Sequence, residues 1–309
     1  MNYLVTGAGG FIGSSIANRL ILDGHTIVTI DNFSTGSPNN INKEITTIEG
    51  DCQKTKVINQ LGSNKFDAIL HIAGQSSGEI SFDDPVYDLE TNTKSTLMLL
   101  QYALKTGCKK FVYASSMSVY GNSEKLPVNE HTDPSPISHY AVGKLASEHY
   151  MRIFSKLGIS TTSLRLFNVY GPGQNLKNLR QGMISIYLAQ ALKNKHIHVK
   201  GSGDRFRDFV YIDDVVDAFL KATAFLESDY SVFNIGTGIK TTVNQLINKI
   251  CNSLENDISV KFEGSTKGDT HGIYACAKNA KNILLWDPKT YLDQGISNMI
   301  NWGLSQNIL

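Results

Sequence analysis

The chain reads as an α/β protein built on a doubly wound parallel sheet, with a smaller C-terminal lobe. Three observations carry this. Short β-branched or apolar runs alternate with longer amphipathic stretches, a glycine-rich turn joins the first run to the first amphipathic stretch, and a later run ends in serines. Parallel strands with helical crossovers produce that alternation. NYLVTG opens the chain, FIGSSIANRLILDG follows as a helix, and HTIVTID is the second strand. TTIEGD, KTKVINQL and FDAILHIAG keep the rhythm, and a long helical stretch over 85–106 leads to KKFVYASS. A second helical stretch, 140–157, precedes ISTTSLRLF. Beyond Phe167 the loop-rich NVYGPGQNLKN breaks the pattern. A helical piece, HIHVKGSGDRFRDFVYIDDVVDAFLKA, the run VFNIGTG and a last helical stretch follow. We expect a sheet domain over 1–168, partly rejoined by 205–236, and a smaller lobe over 169–309.

Composition narrows the functional classes. The 309 residues carry 29 basic and 28 acidic side chains, a net charge of +1. A nucleic-acid binder would show a basic excess or stripe, and neither is present. No apolar run approaches the roughly 20 residues of a membrane span. The chain enters a strand at Tyr3, which leaves no room for a signal peptide. Cys52, Cys108, Cys251 and Cys276 are scattered, with no CxxC pair and no histidine cluster. Neither a metal site nor a disulfide framework is expected, and a cytoplasmic protein with reduced thiols is.

Two motifs carry chemistry. In VTGAGGFIG, Gly7, Gly10 and Gly13 follow the first strand and open the first helix, with Phe11 and Ile12 between the last two. Glycines there let the backbone approach a pyrophosphate, whose charge the helix N-terminus favours. Asp31 ends the second strand about 20 positions on, where a carboxylate suits the ribose hydroxyls of NAD and repels the 2′-phosphate of NADP. In HYAVGKLASEH, Tyr140 and Lys144 lie four apart on one helix face. A cation beside the phenol favours the phenolate and lowers its pKa from about 10, as a base working near neutrality needs.

Taken together, these motifs with DNFSTG, HIAG, SSMSVYG, LRLFNVYGPG, RDFVYIDDVV and FNIGTG resemble the extended short-chain dehydrogenases/reductases. The resemblance is to their NAD-dependent sugar-nucleotide epimerase and dehydratase branch, and it covers nearly the whole chain. It implies a Rossmann dinucleotide domain, a C-terminal substrate-binding lobe, an NAD cofactor and a nucleoside-diphosphate sugar as substrate. It also implies Ser116, Tyr140 and Lys144 as the catalytic set. By the same similarity Asp31, Asn32, Ser34 and Gly36 hold the adenosine ribose, and Asp51 and Cys52 lie at the adenine. Ala73 and Gly74 lie under the phosphates, and Asn92 and Phe167 complete the cofactor site. Gln75, Ser118, Asn168, Arg207 and Asp269 are then expected at the substrate, with Arg207 on its diphosphate.

The serine-ended strand discriminates among the reactions of that branch. Alternation points Ser116 and Ser118 to one face and Ser115 to the other. Dehydratases of the branch carry an acid–base carboxylate in this turn, where this chain has Met117 and Ser118. A 4-keto reductase would bring other acid–base groups. His139 precedes Tyr140, but neighbouring helical residues diverge by about 100°. Decarboxylation would need an arginine placed for a carboxylate, and a catalytically silent NAD-binding scaffold would not need the serine, tyrosine and lysine. What remains is 4-epimerisation: Tyr140 takes the proton of a sugar hydroxyl while the carbon gives its hydride to NAD, and the 4-keto sugar turns over before both are returned. Two departures bear on the nucleotide, uridine being the most frequent in the branch: Thr266 and Lys267 stand where relatives carry a diphosphate-clamping arginine, and Cys276 where they carry aspartate. Finally, the helices of 85–106 and 140–157 are apolar beyond one stripe (Leu97, Leu99, Leu100, Leu104; Val142, Leu145, Ile153, Phe154, Leu157). This predicts a homodimer through a four-helix bundle.

Overall fold

The computed structural model describes residues 1–225, 229–254, 257–265 and 270–305. Seven parallel strands form the central sheet: β1 (Asn2–Thr6), β2 (Thr26–Asp31), β3 (Thr46–Glu49), β4 (Ala68–His71), β5 (Lys110–Ser116), β6 (Ser160–Leu166) and β7 (Ser231–Ile235). Their order is β7-β6-β5-β4-β1-β2-β3. The chain therefore winds outward from β1 to β3, returns to β4 and winds outward on the other side. The reversal between β1 and β4 opens a crevice at their C-terminal ends, the usual ligand position in open α/β sheets.

Both faces of the sheet are covered, so β4 and β5 are buried at every residue. That is why they read as continuous apolar runs. On one face, α1 (Phe11–Leu22) and α5 (Ile212–Ala224) pack over Val5, Leu70, Val112 and Leu164. On the other, α2 (Ser95–Thr106) and α3 (His139–Ser155) share a core with Leu4, Ile69, Phe111 and Tyr113. Ser138 caps α3, its Oγ accepting from Ala141 N at 3.2 Å, which starts the helix one residue before Tyr140. The stretch read as one helix over 85–106 is a short helix (Pro85–Leu89), a π-helical turn (Glu90–Lys94) and α2.

After β6 the chain leaves the sheet. A third core gathers α4 (Met183–Asn194), α6 (Val243–Leu254) and α7 (Leu292–Ser305) around Tyr170, Leu188, Ile197 and Met299. The strands Asn168–Tyr170 and Phe209–Tyr211 run parallel beside the sheet's end. VFNIGTG supplies β7, parallel to β6 with Ile235 opposite Leu166. Ala280, Leu284 and Trp286, far along the chain, also pack into the core that holds Val5 and Leu70, Trp286 Nε1 donating to Asp214 O on α5 at 2.8 Å.

Candidate active site

A cavity of about 660 Å3 lies at the C-terminal ends of β1, β2, β4, β5 and β6 and extends to the second lobe. Its floor is the glycine turn. Gly7 has φ of +77°, and a Cβ there would sit 2.8 Å from Ala73 N. A Cβ on Gly13 would sit 2.0 Å from Gly7 O, so strand end and helix start meet only because both residues lack side chains. Gly10 caps α1 without a side-chain bond, leaving the first-turn N–H groups to face the cavity. Phe11 and Ile12 line it beside them.

At the far end, Asp31 accepts from Gly9 N at 2.7 Å and Phe33 N at 2.8 Å. Asn32 donates to Asp51 Oδ1 at 2.5 Å. Ser34, Gly36, Asp51 and Cys52 line the same end. Burial, reinforced by Asp31 and Asp51, pushes the Cys52 thiol well above its ordinary range. Carboxylates fixed at this end suit a ligand that offers hydroxyl donors and disfavour one that carries a 2′-phosphate. Under the middle of the cavity, Thr6 Oγ1 accepts from Ile72 N and Ala73 N, each at 3.2 Å, pinning the turn that presents Ala73 and Gly74. The cradle, the uncapped helix start and the carboxylate end fit a dinucleotide of the NAD type.

Ser116, Ser118, Tyr140, Lys144, Phe167 and Asn168 converge on the cavity beyond Gly74. Ser116 Oγ donates to Ser118 Oγ at 3.1 Å and accepts from Ser118 N at 3.1 Å. Lys144 Nζ donates to Ala114 O at 2.9 Å. It lies 4.7 Å from the Tyr113 ring centre and 5.6 Å from that of Tyr140. Burial pushes Tyr140 up to about 12; the Ser116 hydroxyl pulls it back and the Asp88 carboxylate adds to the rise. Burial pushes Lys144 down to about 8, against the pull of Asp88. The expected lowering of the tyrosine pKa is thus not met by the protein's own groups. Desolvation of the buried phenol wins, and Lys144 is not among the groups that shift it.

Three expected residues stand apart from the cavity, and a fourth is not among the described residues. Asn92 is buried behind it, its Nδ2 donating to Gln75 O at 2.9 Å. The Gln75 side chain is engaged internally, donating to Asp88 Oδ2 and Ser77 O at 2.7 Å each, so Ser76 and Gly78 line the cavity in its place. Arg207 is buried and not solvated; it donates to the carbonyls of Phe206, Thr270 and His271. Asp269, with Thr266 and Lys267, lies outside the described residues. His139 faces outward, its ring edge-on to Phe82 at 5.2 Å, as its place next to Tyr140 on a helix requires.

Sequence reasoning missed the loop between Gly173 and Met183, which brings Gln174, Asn175, Lys177 and Gln181 to the cavity, and Trp302 on α7. The polar loop directly after a strand end was a usable signal; nothing in the sequence marks Trp302. Asp88, buried with Oδ1 lacking a hydrogen-bond partner, was missed because acidic residues usually mark a solvated face.

Comparison with known proteins agrees with this geometry. The NAD dependent epimerase/dehydratase family model matches residues 3–236. The UDP-glucose 4-epimerase of Mycolicibacterium smegmatis is 32% identical over 309 residues, covering 98% of each chain. The crystal structure of the Thermotoga maritima UDP-glucose 4-epimerase with UDP-glucose superimposes with a TM-score of 0.95 at 34% identity, covering 99% of each chain. UDP-glucuronic acid decarboxylase 1 of Xenopus tropicalis is 29% identical over 306 residues, covering 97% of this chain and 71% of the relative. With a cradle for NAD beside a serine, tyrosine and lysine, and a family model spanning the whole sheet, the chain belongs to the NAD dependent epimerase/dehydratase family.

Proposed function

We propose that the protein is an NAD-dependent epimerase of a nucleoside-diphosphate sugar, acting at C4 through a 4-keto intermediate, with UDP-glucose and UDP-N-acetylglucosamine as the substrate type. One observation carries this. The turn after β5 faces the cavity with Met117 and Ser118, and among the described residues the only acidic side chains lining the cavity are Asp31 and Asp51 at the cofactor end. Removal of the C5 proton and expulsion of water would need a carboxylate near the sugar. Decarboxylation would need an arginine placed to hold the substrate carboxylate, and no described arginine lines the cavity.

When bound, NAD would supply a reversible two-electron acceptor and a positively charged ring that adds to the Lys144 charge beside Tyr140. Tyr140 Oη, as phenolate, takes the proton of the C4 hydroxyl, while Ser116 Oγ donates to the same oxygen and holds it. Lys144, fixed on Ala114 O, places its charge beside the phenolate and the cofactor ribose. The flat 4-keto sugar turns over in the cavity and offers the opposite face of C4 for return of the hydride, and Tyr140 returns the proton to the C4 oxygen. In this reading Gly7, Gly10, Gly13, Asp31 and Asp51 hold the cofactor and Asn168 touches the sugar. The lobe over 169–309 closes on the nucleotide, with Arg207 stiffening its base.

Two coarser features complete the proposal. Val86, Leu89, Leu104, Val142 and Ile153 are exposed on adjacent helices, with Leu157 in the turn after α3, which supports a homodimer through α2 and α3. No described helix is long and apolar enough to cross a membrane, and four free thiols suit a cytoplasmic setting.

The test follows isotopes. In UDP-glucose deuterated at C4, the label stays at C4 of the inverted sugar, catalytic NAD suffices, no solvent deuterium enters at C5 and no oxygen leaves C6. NMR of the products reads all four. A 4-keto-6-deoxy product, or turnover that tracks added NADH one for one, overturns the epimerase and leaves the cofactor site standing.

A further inference from the structure

Three consecutive residues at the end of β5 pair with three residues spaced by four on α3. Ser116 acts on Tyr140, Ala114 O takes Lys144 Nζ, and Ser115 Oγ donates to Glu148 Oε1 at 2.5 Å. The first two pairs belong to the reaction proposed above; the third ends on Glu148, which does not line the cavity. Glu148 also receives Arg165 from the neighbouring strand, Nε on Oε1 at 3.0 Å and Nη2 on Oε2 at 2.7 Å. The two side chains are only 4% and 5% exposed. Arg165 lies opposite Ser115 in the β5–β6 register, so one carboxylate ties the catalytic helix to both strands that frame the site.

The tie extends further. Arg165 Nη1 donates to Tyr120 Oη at 2.9 Å, and Tyr120 Oη donates to Asn234 Oδ1 at 2.6 Å. Tyr120 sits in the turn that carries Met117 and Ser118, and Asn234 sits on β7. Asn234 N in turn donates to Glu130 Oε1 at 2.8 Å. A buried ion pair adds little net stability over apolar residues of the same volume. A bidentate carboxylate–guanidinium fork does fix direction, and placement errors near 1 Å can cost about a hundredfold in rate.

We propose, building on the epimerase reaction above, that the Glu148–Arg165 pair with Ser115 and Tyr120 is the positioning device that sets Tyr140 and Lys144 against Ser116. Glu148 is a positioning residue; it touches no substrate. The device aligns the proton acceptor on α3 with the hydroxyl on β5 while leaving the cofactor cradle on β1 and α1 alone.

The experiment compares S115A, Y120F and E148Q with the parent as NAD-loaded holoenzymes. S115A and Y120F delete one hydroxyl each and keep the ion pair, so they decide the matter even if E148Q fails to fold. The expected result is a fall in kcat of at least about tenfold for E148Q and a smaller fall for the other two. KM for UDP-glucose and NAD content stay unchanged, and S115A has no added effect in the E148Q background. A second readout needs no turnover: the Tyr140 titration, followed by NMR of ring-labelled tyrosine and assigned with Y140F, moves to higher pH as the Ser116 hydroxyl loses its grip. Lowered melting temperatures with kcat per loaded site within twofold of the parent and an unmoved Tyr140 titration would reduce the network to scaffolding. A parent inert toward every UDP-sugar would sink the epimerase reaction, and the titration would still decide the positioning role.

Discussion

Lys144 shows at the scale of one residue how function is set against stability. Burial pushes its ammonium from 10.5 down to about 8, so the folded value lies below the unfolded one. Between those two pH values the unfolded chain keeps a proton that the folded chain releases, and stability rises with pH across the window. At pH 7 both states are protonated and the whole burial cost, about 3 kcal/mol, stands against the fold. Replacing Lys144 with Met should therefore stabilise the cofactor-free protein at pH 7. The gain stays below that figure, because Ala114 O loses its donor. It should shrink as the pH is raised from 8 towards 10.5, and turnover should vanish. Urea denaturation at pH 7 and pH 10 measures it, and a Met variant no more stable than the parent at pH 7 contradicts it. The residue type and the four-residue spacing made Tyr140 and Lys144 legible in the sequence. What the sequence could not show was the sign of the tyrosine's shift, which depends on how much water is excluded. Nor could it show the inward aim of Gln75 and Asn92, which bond within their own stretch of chain, or that Arg207 reaches the carbonyls of Thr270 and His271.

At the scale of elements, the β1–α1 turn is the feature that sequence and structure share most fully. A Gly13 Cβ would meet Gly7 O at 2.0 Å and Gly7 C at 2.5 Å, backbone atoms with nowhere to go. G13A must open the turn, so it should weaken NAD binding at least about tenfold and lower stability by about 1–3 kcal/mol, the cost of overpacking. Calorimetric titration with NAD and thermal melting check both; unchanged affinity and melting temperature would mean that the turn is not the cradle. The alternation of apolar and amphipathic runs made β1, β2, β4, β5 and β6 readable, because buried parallel strands are short apolar runs. The same logic found the helical stretch over 85–106 but not the π-helical turn at Glu90–Lys94, which keeps helical composition while shifting the phase. It failed between Gly173 and Met183, where a polar loop has no period to read although it lines the cavity.

At the scale of the whole molecule, the two winding directions of the sheet leave α2 and α3 side by side, their inner faces on Leu99, Leu100, Met151 and Phe154. Their outer faces still carry Leu104 at 42%, Val142 at 52% and Ile153 at 57% exposure. The patch extends through Val86 and Leu89 on the short helix before them. Exposed apolar side chains gathered on neighbouring helices favour an interface, and a two-fold axis lets the same face cover itself. The sequence showed that these helices are apolar on more than one side; only the fold shows which side is left bare. We expect light scattering at micromolar concentration to give twice the 34.0 kDa chain mass. V142K and I153E, placed mid-patch and away from the cavity, should each drive the protein towards monomer. Tyr140 and Lys144 lie on the opposite face of the same helix, so splitting the dimer should lower the melting temperature without abolishing NAD binding. A parent that scatters as a monomer, or charged variants that remain dimeric, would place the interface elsewhere.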